Sequence, residues 1–62
     1  MTDRKYPCYV LKKDAGGNWY WLYYAENREA IARSSESYVA KADCEASVRL
    51  LKNSGSAPVY SE

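Results

Sequence analysis

The sequence predicts a single α+β domain in which an antiparallel sheet comes first and one amphipathic helix follows. Three observations predict it: residues alternate with period two in the first half, turn-forming residues separate these segments, and the period changes to 3.6 after residue 39. A chain of 62 residues fits one domain. We expect its core at about residues 6–54 and an extended C-terminal segment at residues 57–61, which gives the order β-β-β-α-β.

Three strands are predicted from β-prone segments separated by reversals. Residues 6–13, "YPCYVLKK", form the first, and "DAGGN" at residues 14–18 has the composition of a hairpin connection. Residues 18–25, "NWYWLYYA", form the second strand, and residues 29–35, "EAIARSS", a weaker third one. In the second reversal Arg28 stands where a two-residue type I′ turn prefers glycine, so we expect another turn type there.

A helix is predicted over residues 39–53 from the change of period. Asn53 and Gly55 supply its stop, but its start is poorly signalled, and Ser37 is the nearest capping candidate. The face expected to pack on the sheet, with Leu50 at its margin, consists of Ala40, Cys44, Ser47, Val48 and Leu51. The solvent face consists of Lys41, Glu45, Arg49 and Lys52.

Composition excludes several function classes. The chain has no histidine, and Cys8 and Cys44 are too far apart in sequence for zinc-ligand spacing, so we expect no metal and no cofactor. The opening "MTDRKYPC" lacks an apolar segment and a cleavage site, which predicts a cytoplasmic protein with free thiols. The longest apolar run, residues 19–25, is too short to span a membrane. A net charge of +1 recruits no acidic partner over long range.

The second strand has aromatic side chains on both of its faces. Trp19, Trp21 and Tyr23 are expected in the core under the helix. The opposite face has no evident cover, and its expected members are Val10, Tyr20, Leu22 and Tyr24. An exposed aromatic patch of this kind is typical of a binding site or a dimer contact, and an ordinary solvent-facing surface is the equally weighted alternative.

The preferred functional hypothesis is therefore a noncatalytic binding module that presents this face to a protein or small ligand. The first alternative is weak binding of single-stranded nucleic acid, with cations supplied by Lys12, Lys13, Arg28 and Arg33. The low net charge argues against it, because phosphate neutralisation dominates such affinity.

The second alternative, a thiol- or carboxylate-dependent enzyme, is disfavoured. Ser34, Ser35 and Ser37 have no histidine to activate them. Turn positions are the commoner role for residues such as Asp14, Glu36 and Tyr38. Cys44 falls on the apolar helix face, where a thiol is usually inert, and nothing nearby in sequence activates Cys8.

The runs "DAGGNWYWLYYAEN" and "IARSSESY", followed by a lysine that opens a helix, resemble the YegP-like family of small proteins of unknown function. The resemblance extends from Tyr9 to about Tyr60. It implies core positions at Tyr9, Leu11, Trp19, Trp21, Tyr23, Ile31, Val48 and Leu51, and matches Tyr38, Lys41 and Ser47 to other motif positions. Arg28 and Ser37 replace family glycines, one residue is inserted near Ser37, and aromatic residues replace basic ones on the outer face of the second strand.

The resemblance also implies an assembly. In this family two β-β-β-α-β units join into one sheet and exchange their last strands. This chain contains one such unit, so the resemblance implies a homodimer. The exchanged segment would contain Ala57, Pro58, Val59 and Tyr60.

Overall fold

The computed structural model describes residues 4–62 and has the predicted α+β architecture. Its elements are β1 (Cys8–Lys13), β2 (Trp19–Tyr24), β3 (Ala30–Arg33) and α1 (Lys41–Lys52). The strands form an antiparallel sheet in the order β1-β2-β3, so β1 and β3 are its edges. Residues 1–3 lie outside the described residues. They belong to the N-terminal stretch from which the sequence predicts a cytoplasmic protein.

The hairpin between β1 and β2 is closed by backbone hydrogen bonds and by one carboxylate. The N–H of Gly17 donates to the carbonyl of Asp14 at 3.0 Å, and the N–H of Asp14 donates to the carbonyl of Asn18 at 2.8 Å. Gly17 has φ of +82°, so the loop is a turn followed by a left-handed residue. Oδ1 of Asp14 also accepts from the N–H groups of Gly16 and Asn18 at 2.9 and 3.0 Å. Asp14 is therefore a turn residue, as expected.

The hairpin between β2 and β3 repeats that pattern with a different residue at the left-handed position. The N–H of Arg28 donates to the carbonyl of Ala25, and the N–H of Ala25 donates to the carbonyl of Glu29, both at 2.9 Å. Arg28 has φ of +69°. The turn is therefore of another type than the two-residue type I′ turn, as was predicted. Arg28 nevertheless adopts the left-handed conformation.

The core lies between the sheet and α1. Its buried members are Trp21, Cys44 and Val48, of which Cys44 is fully buried. Packed against them and partly buried are Tyr9, Leu11, Trp19, Tyr23 and Tyr38. The predicted alternation along β2 is confirmed, because its odd-numbered residues all join this cluster.

Ile31 is a correction to the expected core. It is 64% exposed, because the register of β2 and β3 shifts at this point. Tyr23 pairs with Ala32 and Tyr24 pairs with Ala30, which leaves Ile31 as the extra residue of a β-bulge. The core position that the family resemblance implies for Ile31 is therefore wrong for this chain.

The connection from β3 to α1 returns to β2. Ser34 donates its N–H to the carbonyl of Trp21, and Tyr38 forms a bridge with Trp19 through two backbone hydrogen bonds of 2.6 and 2.7 Å. The hydroxyl of Ser34 closes the intervening loop by donating to the carbonyl of Glu36 at 2.9 Å.

The helix begins later than predicted and without a side-chain cap. Its N-cap is Ala40, and no side chain hydrogen-bonds to the N-terminal backbone there. The capping role predicted for Ser37 is wrong, because its hydroxyl donates to Oδ2 of Asp14 at 3.3 Å. At the other end Leu51 is 40% exposed and Leu50 is more exposed still, so the packed face is narrower than expected.

The segment after α1 forms no strand within the described chain. The N–H of Ala57 donates to the carbonyl of Ser54 at 2.9 Å, and the residues that follow have no regular structure. Val59 and Tyr60 are 94% and 81% exposed. Exchange of this segment between two chains stays a prediction.

Candidate interaction face

The strand register brings the predicted face together on the side of the sheet opposite α1. Val10 pairs with Leu22 in the antiparallel ladder, and Tyr20 and Tyr24 lie two residues to either side of Leu22. Residues two apart in a strand point to the same face. We call this set of Val10, Tyr20, Leu22 and Tyr24 the outer face.

The outer face is less open than the sequence suggested. All four of its residues are half-buried, although no other helix or strand of residues 4–62 lies over them. Their partial burial comes from cross-strand packing and from side chains that reach over the two tyrosines, one at each end.

At one end of the outer face a guanidinium group covers a ring. The guanidinium carbon of Arg33 lies 4.4 Å from the ring centroid of Tyr20. Lys12 is the cross-strand partner of Tyr20 and is exposed. Such cation–π pairs fix a long cationic side chain that would otherwise move freely in solvent.

At the other end a second tyrosine extends the aromatic surface. The rings of Tyr6 and Tyr24 meet edge to face with centroids 6.0 Å apart. The guanidinium carbon of Arg28 lies 5.3 Å from the ring centroid of Tyr6. The outer face therefore has an apolar centre, Val10 and Leu22, between two ends that each carry a tyrosine ring and an arginine.

The charge on this side of the protein is uneven in a way that the net charge conceals. None of the three strands contains an aspartate or a glutamate. The carboxylate of Glu29, in the turn next to Arg28, accepts a hydrogen bond from the side chain of Asn27 at 2.9 Å. The same turn also holds Glu26, so Arg28 has two carboxylates beside it in sequence, whereas Arg33 and Lys12 lie on strands without any.

Of the residues considered for catalysis, Ser34 and Cys44 are buried and the others are half-buried or exposed. The buried hydroxyl of Ser34 accepts from the N–H of Trp21 at 3.3 Å as well as donating to a carbonyl. Burial raises the pKa of the Cys44 thiol, and the carboxylate of Glu45 raises it further. Cys8 is a half-buried free thiol opposite Tyr24. Ser35 and Glu36 are exposed.

A groove of about 430 Å³ opens on the helix side of the sheet, beside the edge strand β1. It is lined by Pro7, Cys8, Tyr9, Leu11, Tyr23, Val48 and Lys52. Its walls are mainly apolar, with the stem of Lys52 at the helix end. The sequence did not predict this groove.

Sequence reasoning also missed that Tyr6 lies beside the outer face. Tyr6 precedes β1 and lies two residues before Cys8, the partner of Tyr24, so it reaches Tyr24 diagonally across the ladder. The register could have indicated this contact, because diagonal neighbours lie within reach of aromatic side chains. The stacking of Arg33 on Tyr20 depends on the β3 register, which the bulge makes hard to predict.

Comparison with known proteins identifies a family. The profile of the family described as Domain of unknown function (DUF1508) matches residues 14–61. None of the curated proteins matches the chain. Across residues 4–62, no three side chains of the types that commonly bind metals converge on one position. In the same part of the chain, no helix combines the length and the apolar character that crossing a membrane requires.

Proposed function

Because the chain belongs to the YegP-like family of domains of unknown function (DUF1508), we propose that it is a noncatalytic, dimeric binding module whose ligand contacts the outer face. One observation carries this proposal. The core is built entirely on the helix side of the sheet, while the outer face brings together two apolar side chains and two tyrosine rings, with Tyr6 beside Tyr24, and no helix or strand of the described chain covers them. Such a surface suits a ligand better than solvent.

The proposed dimer is supported by apolar side chains that the single chain leaves in solvent. The most exposed are Ile31, Val39, Leu50, Val59 and Tyr60. The groove beside β1 offers apolar cover for the last two of them, and the free edge of β1 offers backbone hydrogen bonds to an extended segment. A second copy of this chain supplies such a segment at residues 57–61.

The absence of catalysis is part of the proposal. The Ser34 hydroxyl accepts one hydrogen bond and donates another within the fold. The Cys44 thiol is buried, and its pKa is raised. These observations support binding without turnover. The cytoplasmic location predicted from the sequence stays a prediction.

Nucleic-acid binding is the less favoured alternative for the same face. Base stacking needs free ring faces. Arg33 already covers Tyr20, and Tyr6 already meets Tyr24, so bases would have to displace these contacts. The net charge of +1 leaves little excess charge for phosphates.

A spotted array of random peptides tests the binding proposal even though the ligand is unidentified. We expect the full-length protein to bind a reproducible set of peptides and the double variant Tyr20→Ser, Tyr24→Ser to lose that set. Circular dichroism must show that the variant is folded. The matched control is Glu45→Ser, Arg49→Ser, which alters two exposed residues of α1 and should retain binding. Binding that survives loss of both tyrosines would refute the outer face as the site.

A further inference from the structure

We propose that the ligand of the outer face is an acidic polypeptide segment in extended conformation, with an apolar residue midway between two carboxylates four positions apart. This inference rests on the proposed function and specifies its ligand.

The first step is the state of Arg33. Its guanidinium carbon lies 4.4 Å from the Tyr20 ring centroid, and a guanidinium group in such a cation–π contact keeps N–H donors available at its edge. A carboxylate accepts two parallel hydrogen bonds from such an edge. Since the side chain is already held in place, binding a carboxylate there costs little additional ordering.

The second step is the presence of cations at both ends. Arg28 lies over Tyr6 at 5.3 Å beyond Tyr24, while Arg33 and Lys12 lie by Tyr20. The strands contribute no carboxylate, whereas the turn that holds Arg28 also holds Glu26 and Glu29. The outer face therefore has an apolar centre with an arginine at each end, and the Tyr20 end has the larger excess of cations.

The third step is the spacing. Tyr20 and Tyr24 are four residues apart in β2, about 13 to 14 Å at the usual rise per residue of a strand. An extended peptide has the same rise, so its residues i and i+4 lie over Tyr20 and Tyr24 on one side, and the side chain of residue i+4 extends toward Arg28, which lies beyond Tyr24. Residue i+2 then lies over Val10 and Leu22. Glu-x-apolar-x-Glu meets this requirement.

The pattern favours a polypeptide over a nucleic acid. A single strand of nucleic acid carries a phosphate at every nucleotide and needs open ring faces for its bases. Here two cationic ends are separated by an apolar centre, and the rings are already in contact with Arg33 and Tyr6. The chemistry that complements this arrangement is two separated carboxylates with an aliphatic side chain between them.

Fluorescence anisotropy with the full-length protein tests the inference. The probe is fluorescein-labelled Gly-Glu-Ser-Leu-Ser-Glu-Gly, and the comparison peptides carry Gln or Lys in place of both Glu residues. We expect the Glu peptide to bind at least about tenfold more tightly than the Gln peptide, as charge-assisted hydrogen bonds at both ends require. The Lys peptide should bind weakest. Added salt should weaken binding of the Glu peptide.

The matched variants are Arg33→Glu and Arg49→Glu, which make the same charge change on opposite sides of the protein. We expect Arg33→Glu to weaken the Glu peptide by at least about tenfold and Arg49→Glu by less than about twofold. Equal loss in both variants would mean that only net charge matters, and would overturn the inference.

The remaining outcomes separate this inference from the proposed function. If the Gln and Glu peptides bind equally, or if no probe peptide binds while array binding still depends on Tyr20 and Tyr24, the outer face is a site for another ligand and the acidic-segment inference is wrong. If a single-stranded oligothymidine binds more tightly than the Glu peptide and loses affinity in Arg33→Glu, the ligand is a nucleic acid. If array binding does not depend on the tyrosines, both proposals fail.

Discussion

Arg28 occupies a backbone position that favours glycine. Its φ of +69° places it in the left-handed region, which costs a residue with a Cβ about 1 to 2 kcal/mol relative to glycine. Its guanidinium group meets the Tyr6 ring, which returns about 0.5 to 1 kcal/mol at an exposed site. The side chain is therefore retained at some cost to folding, as expected of a residue that contributes to a surface rather than to the core.

Replacing Arg28 by glycine should stabilise the protein by roughly 0.5 to 1 kcal/mol, since relief of the backbone exceeds the lost cation–π contact. Urea unfolding would measure the change. The matched control is Gly17→Ala at the equivalent position of the other hairpin, where an added Cβ meets nothing within 4 Å and only the backbone is strained. That variant should lose about 1 kcal/mol. A destabilised Arg28→Gly would mean that the Tyr6 contact outweighs the backbone strain.

At the residue scale, the sequence predicted what depends on alternation and failed where alternation breaks. Trp21 is buried as predicted because period two holds throughout β2. Ile31 is exposed because a bulge shifts the register, and no residue type in β3 signals a bulge. The contact of Arg33 with Tyr20 depends on that same register, so it could not be predicted from the sequence and is known only from the structure.

At the scale of elements, α1 begins without a side-chain cap. Ala40 has the extended φ and ψ of an N-cap residue, −101° and 136°, but its methyl group cannot accept a hydrogen bond. The first helical residue is Lys41, a cation at the positive end of the helix dipole. The weak start signal in the sequence reflects a real lack of capping, and Ser37 is instead engaged by Asp14.

Ala40→Asp should stabilise the protein by about 1 kcal/mol, because the new carboxylate can accept a hydrogen bond from a free N–H of the first turn. Thermal and urea unfolding would measure the gain. Ala42→Asp adds the same charge within the first turn but cannot cap, so it should gain less. If the two variants are equally stable, the effect comes from charge near the helix dipole and the capping argument is wrong.

At the scale of the whole molecule, one unit of this size leaves much of its apolar surface unburied. Only three apolar residues of the described chain are buried, Trp21, Cys44 and Val48, whereas Val59 and Tyr60 remain almost wholly in solvent. A 62-residue chain has little stability to spare, so a second copy that covers these side chains would add burial that the single chain lacks. The first four elements of the predicted β-β-β-α-β order are confirmed, whereas exchange of the last segment with a partner chain stays a prediction, because one chain alone does not test it.

We expect the intact chain to sediment as a dimer, and a chain ending at Gly55 to be a less stable monomer. The full-length double variant Val59→Asp, Tyr60→Asp should also dissociate, because it places charge on side chains that would pack in the partner's groove. Ser56→Asp, an added charge at an exposed polar position of the same segment, should leave the dimer intact. If the shortened chain still dimerises, the tail is not the exchanged strand. The outer face then becomes the contact between copies, and Tyr20 and Tyr24 are no longer free to bind an acidic ligand. Sedimentation equilibrium therefore decides which surface joins the two chains and which is left to bind.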